Sequence, residues 1–276
     1  MKIIGAHISI AKGIETIQEQ MDLLNCNTCA IFLSNQKRFD NPPLTSDKIQ
    51  KFKKLVKNRD VILPHGPYVI NLANPEKIEK HFECFIQDLA RCHDLGIRLY
   101  NLHPGSDTTG LGKEATAKFI AENLNKAMEK IPDVVILIEN MAGQGNCFGR
   151  TFEELSLLIS HIENKDRIGV TLDTCHLFVG GYDIRTPESF EKIMKDFDRI
   201  VGFKYLKAMH LNDSMTDFNA RSDRHESIGK GKIGLEAFKY IMRSPYFEDI
   251  PLILETPKPE LFKEEIALLK SFTLEN

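Results

Sequence analysis

The stretch GVTLDTCHLFVGGYD, residues 169–183, decides how the chain is read. An apolar run from Ile168 to Leu172 ends abruptly in an acid, Asp173. His176 follows three residues later, then a double glycine, Gly180 and Gly181. A charge emerging from an apolar run is costly unless something compensates it. The run therefore reads as a buried strand whose C-terminal end holds a ligand.

Seven further runs share this form: KIIGAH (2–7), TCAIFLS (28–34), VILPHG (61–66), IRLYNLH (97–103), VVILIEN (134–140), KAMHLN (207–212) and PLILET (251–256). With RIGVTLD (167–173) they make eight. Continuous β-branched and apolar runs suit parallel strands buried on both faces. The segments between them read as helices. Residues 76–95 place Ile78, Phe82, Phe85, Ile86 and Leu89 on one stripe, and Gly96 stops that helix. Thr151 with Glu154 reads as a capping box, and Thr186 with Pro187 as an N-cap followed by proline at the first helical position. Eight strand–helix units in 276 residues predict an α/β fold, a single (β/α)8 TIM barrel over residues 1–276 with its chemistry at the C-terminal rim of the strands. A doubly wound open sheet is the alternative. The longest irregular stretch, 211–232, follows the seventh run, and a loop that long in a compact domain is usually functional.

Composition narrows the function classes. The chain is 42% hydrophobic and 27% charged, and no stretch approaches the roughly 20 apolar residues of a membrane span. MKIIGAHISI has one lysine and no apolar core long enough for a signal peptide, so an intracellular protein, cytoplasmic or nuclear, is expected. The six cysteines are then free thiols. Cys26 and Cys29 form a lone C-x-x-C without the second pair a zinc ribbon needs. The net charge of −3 argues against binding nucleic acid through bulk positive charge.

What ends each run carries the chemistry. The third to eighth runs end in His65, His103, Glu139, Asp173, His210 and Glu255. His176 lies just beyond the sixth, and Asp223 and His225 lie in the long loop after the seventh. One such histidine reads as a satisfied buried polar residue. Six consecutive strand ends converging on one barrel axis read as a metal centre. Five imidazoles and four carboxylates exceed the ligands of one ion and suit two or three, with one carboxylate bridging. Imidazole and carboxylate without thiolate favour zinc, manganese or iron. His7 ends the first run and faces the same rim, where it can orient a ligand or a water. His81, His93 and His161 fall in or at the end of helical segments and are expected to be solvated. GKGKIG (229–234) matches the dinucleotide fingerprint G-x-G-x-x-G, but it closes a polar loop instead of following a strand, so a tight turn into the next helix is expected.

With these residues in place, the chain resembles the endonuclease IV family of apurinic/apyrimidinic endonucleases. The resemblance runs nearly end to end, through GAHIS (5–9), LPHGPYVINLANP (63–75), NLHPGS (101–106), IENMAGQGNCFG (138–149), DTCHLFVGGYDIRTP (173–187), FKYLKAMHLNDS (203–214), RSDRHESIGKGKIG (221–234) and PLILETPKP (251–259). It implies a barrel with three zinc ions. His65, His103 and Glu139 would hold the first. Glu139 would bridge to a second, also held by Asp173, His210 and Glu255. His176, Asp223 and His225 would hold the third. Glu139 and Glu255 are then the catalytic candidates.

The implied reaction is hydrolysis of the phosphodiester 5′ to an abasic site in duplex DNA, leaving a 3′-hydroxyl and a 5′-deoxyribose phosphate. Zinc would lower the pKa of a bound water to about 7 to supply the nucleophile. Trimming of blocked 3′ ends, a role in base excision repair and action as a monomer follow from the same resemblance. Three divalent ions would turn the net charge from −3 to +3, which answers the charge objection. Asn35, Lys37 and Phe39 in SNQKRF (34–39), with Tyr68 and Val69, are the expected DNA contacts. Lys37 stands where the family often has arginine and Phe39 where it often has tryptophan, and lysine does not reproduce arginine's fork and stacking. The rival reading is a single-metal sugar isomerase or epimerase of the xylose-isomerase-like barrels, using Glu139, Asp173, His210 and Glu255. A non-catalytic, metal-dependent DNA-binding protein is a third. The isomerase leaves His65, His103, His176, Asp223 and His225 unexplained.

Overall fold

The computed structural model describes residues 1–39 and 41–273. In chain order the strands are β1 (Ile3–His7), β2 (Thr28–Ile31), β3 (Leu63–Pro64), β4 (Leu99–Leu102), β5 (Val135–Glu139), β6 (Ile168–Asp173), β7 (Leu206–Leu211), β8 (Asp213–Ser214), β9 (His225–Glu226) and β10 (Pro251–Leu254). The helices are α1 (Ile17–Leu24), α2 (Ser46–Leu55), α3 (Ile78–Leu95), α4 (Lys113–Lys130), α5 (Phe152–Ser160), α6 (Thr174–Gly180), α7 (Pro187–Ile200), α8 (Leu235–Arg243) and α9 (Phe262–Ser271). Eight strands form one sheet in the order β3-β2-β1-β10-β7-β6-β5-β4, and every pairing is parallel. A parallel bridge between His65 and Asn101, with Gly66 N–H donating to Asn101 O at 2.8 Å, joins the two ends of that order. The sheet is therefore a barrel, as the eight runs predict. β8 and β9 form a separate antiparallel hairpin in the long loop after β7.

Side chains of a strand alternate between its two faces. Ala30, Leu63, Leu137, Ala208 and Ile253 form one fully buried cluster, with Leu99 and Val135 packed against it. The second and larger core holds the other strand faces and the helices. Two residues beyond the members of the small cluster, on the same face, come His65, Glu139, His210 and Glu255. Two positions per layer also lead from Leu99 to Asn101 and His103. The apolar plug and the polar ring above it are successive layers of one barrel interior.

Local signals hold with two adjustments. α3 buries Phe85 and Leu89 and packs Ile78, Phe82 and Ile86 against the core. Gly96 ends it at φ 72°, a left-handed conformation glycine adopts without steric cost. Thr186 caps α7 in a reciprocal pair with Ser189. Thr151 caps α5 by accepting from Glu154 N–H, but the Glu154 carboxylate accepts from Gly149 and Arg150 N–H at 3.0 and 2.9 Å. The capping box is therefore one-sided, because the turn before the helix offers two donors in place of one. His81 corrects the solvated expectation: it is 8% exposed, and its Nδ1 accepts from Asn71 N–H at 3.3 Å. It lies on the buried face of α3, under the segment after β3. His93 is exposed and His161 half-exposed.

Candidate metal centre

Five ligand candidates, His65, His103, Glu139, Asp173 and Glu255, end their strands or directly follow them, and His210 is the last residue but one of β7. Asp173 ends β6 and is also the N-cap of α6, its Oδ1 accepting from His176 N–H at 2.8 Å. The D-T-C-H spacing therefore caps the helix and brings two ligand candidates together. Glu139, at the end of β5, is fully buried, and Asn101 Nδ2 donates to its Oε2 at 2.6 Å. Asn212 Nδ2 donates to Asp173 Oδ2 at 2.6 Å, and Asn212 Oδ1 accepts from Glu255 N–H at 3.0 Å. Asn140 Oδ1 accepts from Asp173 N–H at 2.6 Å. His7 Nδ1 lies 2.9 Å from Glu255 Oε1, so the end of the first strand touches a ligand candidate that follows the last.

Glu139 is the centre of the ring. Its Oε2 lies 3.3 Å from His65 Nε2 and 3.2 Å from His103 Nε2. Its Oε1 lies 3.3 Å from His176 Nδ1 and 3.1 Å from His210 Nδ1. His210 Nδ1 is also 3.2 Å from Glu255 Oε2. Asp223 joins two histidines, with Oδ2 3.1 Å from His176 Nε2 and Oδ1 3.0 Å from His225 Nε2.

The tautomers test whether these residues suit a cation. His65 Nδ1 lies 2.7 Å from Gly66 O, His176 Nδ1 2.8 Å from Asn140 O, and His225 Nδ1 3.2 Å from Glu255 O. A carbonyl only accepts, so in each ring Nδ1 carries the hydrogen and the neutral Nε2 presents a lone pair. Each of those lone pairs then faces a carboxylate oxygen, which is repulsive unless a proton or a metal ion lies between. The buried Nε2 atoms of His176 and His225 make no aligned hydrogen bond despite their proximity to Asp223. The donor set fits a metal, with Nδ1 fixed to the backbone as outer partners of ligating histidines usually fix it.

Without an ion, protons take that place. Burial opposes a charged His210, yet Glu255 and Glu139 outweigh it and raise its pKa to about 9. His225 is also raised to about 9, burial being overcome by the Asp223 carboxylate beside its Nε2 and the charge of Asp173. Burial works against ionised Glu139 too, but His210 and His103 hold it well below the usual carboxylate range.

Among the described residues five donor sets have ligand atoms mutually within 4.8 Å, and three of them together use all nine residues read from the sequence: His65, His103 and Glu139; Glu139, Asp173, His210 and Glu255; and His176, Asp223 and His225. The other two, His65, His210 and Glu255 and Asp173, Cys175 and His225, overlap these. Most of the nine line a cavity of about 460 Å³, together with Tyr68, Ser106, Gln144 and Asn146. Tyr68 is 61% exposed, and its ring centroid lies 5.6 Å from that of His65 and 5.8 Å from that of His103. Val69 beside it is partly buried.

The other expected DNA contacts lie apart from the ring. Asn35 and Lys37 line a groove that includes His7, Ser9 and Lys48. Phe39 packs edge-on against His81 at 5.1 Å, with Lys80 Nζ 4.3 Å above its ring. The sequence reading did not single out Asn101, Asn140 and Asn212, three buried asparagines beside the ring. Their signal is present in NLH, IEN and HLN: an amide one or two residues from a ligand at a strand end.

Known proteins share this fold. A family model described as a xylose isomerase-like TIM barrel matches residues 21–272. The chain is 46% identical to the probable endonuclease 4 of Chlorobium phaeovibrioides, over 98% of this chain and 99% of that protein. It is 47% identical to apurinic-apyrimidinic endonuclease 1 of Plasmodium berghei over 96% of this chain, and the match spans only 54% of that longer protein. Among solved structures, endonuclease IV from Thermus thermophilus is similar with a TM-score of 0.88 and 28% identity, over 99% of each chain. A D-tagatose 3-epimerase-like protein, at a TM-score of 0.74 and 20% identity, shares the fold alone.

Proposed function

Because the chain belongs to the endonuclease IV family of xylose isomerase-like barrels, we propose that it is a zinc-dependent DNA-repair endonuclease that hydrolyses the phosphodiester 5′ to an abasic site in duplex DNA. The observation that carries this reading is one fully buried carboxylate, Glu139, common to two donor sets, with a third set beside them. His65, His103 and Glu139 would hold one zinc ion, Glu139, Asp173, His210 and Glu255 a second, and His176, Asp223 and His225 a third. Bound zinc supplies Lewis-acid activation of water near neutral pH and neutralises phosphate oxygens.

The protein's own residues do the rest. Asn101 and Asn212 fix which carboxylate oxygens face the ring. His7 holds Glu255 at the cavity mouth. Tyr68 stands over His65 and His103, where an aromatic face can lie against the sugar or base beside the lesion. The net charge of −3 confines attraction for phosphate to the loaded centre. Asn35, Lys37, Phe39 and Val69 belong to the same reading as contacts along the duplex. Trimming of blocked 3′ ends, action as a monomer, one functional unit over residues 1–276 and a cytoplasmic or nuclear site of action complete it. No helix among the described residues is long and apolar enough to cross a membrane.

The test is a nicking assay on a duplex with one abasic analogue, followed by end-group analysis. A 3′-hydroxyl and a 5′-deoxyribose phosphate are expected. An intact duplex, together with interconversion of ketoses by the metal-loaded protein, would move the assignment to the sugar isomerases.

A further inference from the structure

The turn GKGKIG has the form of an anion-binding loop, and an anion already sits in it. Asp213, the first residue of β8, is fully buried. Its Oδ2 accepts from Gly231 N–H at 3.0 Å and Gly234 N–H at 3.3 Å, and its Oδ1 from Ile233 N–H at 2.9 Å and Ser214 N–H at 2.7 Å. Three backbone N–H groups of one turn, those of Gly231, Ile233 and Gly234, converge on this carboxylate, as backbone N–H groups elsewhere converge on a phosphate. Gly231 is there because the backbone comes this close: a Cβ would lie 2.3 Å from Ser214 O and 2.5 Å from Asp213 Oδ1. Lys232 N–H donates to Ser214 O at 2.8 Å and strengthens the same junction.

The hairpin that leaves this junction carries two ligand candidates. β8 pairs with β9 so that Asp213 faces Glu226 and Ser214 faces His225. Met215 N–H donates to Arg224 O at 2.9 Å, which holds the chain on either side of Asp223. After β9 the chain runs directly into the turn clamped by Asp213. One further anchor is Glu265 of α9, whose Oε1 accepts from Ile228 N–H at 2.9 Å. Asp223 and His225 thus come from the irregular loop, and their placement against His176 depends on where the hairpin is held.

We propose that Asp213 is a positioning residue for the third metal set: an internal anion that locks the 229–234 turn onto β8 and so holds Asp223 and His225 in place for zinc. The inference rests on reading His176, Asp223 and His225 as a zinc site. It predicts that disturbing the clamp removes one ion of three and leaves the Glu139-centred pair intact.

Two variants disturb it differently. Asp213→Asn turns an acceptor into a donor facing N–H groups. Gly231→Ala leaves the carboxylate in place and forces the backbones apart. Each is dialysed against chelator-buffered zinc and its zinc content measured beside the parent, with melting of the chelator-stripped protein and amide exchange at Met215 as companion readouts. Both variants should retain two ions where the parent retains three. Affinity for the last ion should fall by up to about 100-fold, the upper end for losing a direct outer partner of a metal ligand. Met215 exchange should quicken, the stripped barrel should melt near the parent, and excess zinc should restore the third ion.

Three ions bound at parental affinity in both variants would overturn the proposal. So would a collapse of melting with loss of all ions together, which would make Asp213 a fold residue only, and so would a parent that binds no third ion. If parent and variants differ by one ion as expected but the parent does not nick an abasic duplex, the functional reading fails and the positioning role stands.

Discussion

Replacing Glu139 by glutamine removes one charge and almost no volume, at the point where two of the three donor sets meet. The carboxylate faces His65, His103, His176 and His210 at 3.3, 3.2, 3.3 and 3.1 Å. A glutamine can keep its oxygen toward Asn101 Nδ2, which now donates at 2.6 Å, but its NH2 must then face ring nitrogens or a cation. Losing even an outer partner of a ligand costs about 10–100-fold in metal affinity or activity. Glu139 serves two sets directly, so two losses at the upper end multiply to about 10⁴-fold, or about 5.5 kcal/mol of transition-state stabilisation. The assay is single-turnover nicking of a duplex with one abasic analogue at enzyme excess, with zinc measured on the same sample. The barrel should stay folded, because the apolar plug of Leu63, Leu137, Ala208 and Ile253 lies one layer below and is untouched. Turnover within tenfold of the parent at full zinc content would refute the shared-carboxylate reasoning.

Elemental analysis of the purified protein should find about three zinc ions per chain, as three four-to-six-coordinate sites require; a single magnesium or manganese would favour the isomerase reading. In zinc-free protein, His210 and His225 are held at about 9, above the ordinary histidine value of 6.5. Their contribution to stability is therefore complete below pH 6.5 and lost as pH rises through 9, so the melting temperature of chelated protein should fall across that window; a flat profile would contradict the imidazolium–carboxylate cluster. Tyr68→Ala should keep full zinc and normal melting yet bind an abasic duplex more weakly at fixed salt, with little change for undamaged DNA; equal weakening for both would remove it as a lesion contact. Phe39→Ala separates two roles: weaker lesion binding at unchanged melting supports a wedge, whereas its half-buried packing on His81 implies a loss of about 2 kcal/mol, below the roughly 3–5 of a fully buried phenylalanine.

The ring of candidate ligands was legible because strand geometry repeats every two residues. Once the eight runs are read as parallel strands of a barrel, the residue ending each run lies at the same rim, and in four of the runs an apolar side chain of the plug lies two steps back. His65 follows Leu63, Glu139 follows Leu137, His210 follows Ala208 and Glu255 follows Ile253, so a pattern local to each strand sets a common height and face. Asp173 was legible as the end of a run and His176 by its place just beyond it, whereas the cap that Asp173 makes on α6 through His176 N–H appears only in the structure.

Contacts between distant segments were not legible. The sequence contains Asn101, but only the β4–β5 register, pairing Asn101 with Leu137, brings its amide to Glu139 across a separation of 38 residues. His81 looked solvated because helix periodicity does not reveal what covers a face, and here the segment after β3 does. Phe39 was read as a DNA contact from its place in SNQKRF, and only the fold brings His81 and Lys80 of α3 against it. The glycines of GKGKIG announced a tight backbone turn by themselves. That the anion inside it is Asp213, sixteen residues before the first of them, was decided by the fold of the long loop, because N–H groups accept any acceptor the chain delivers and local sequence does not say which one arrives.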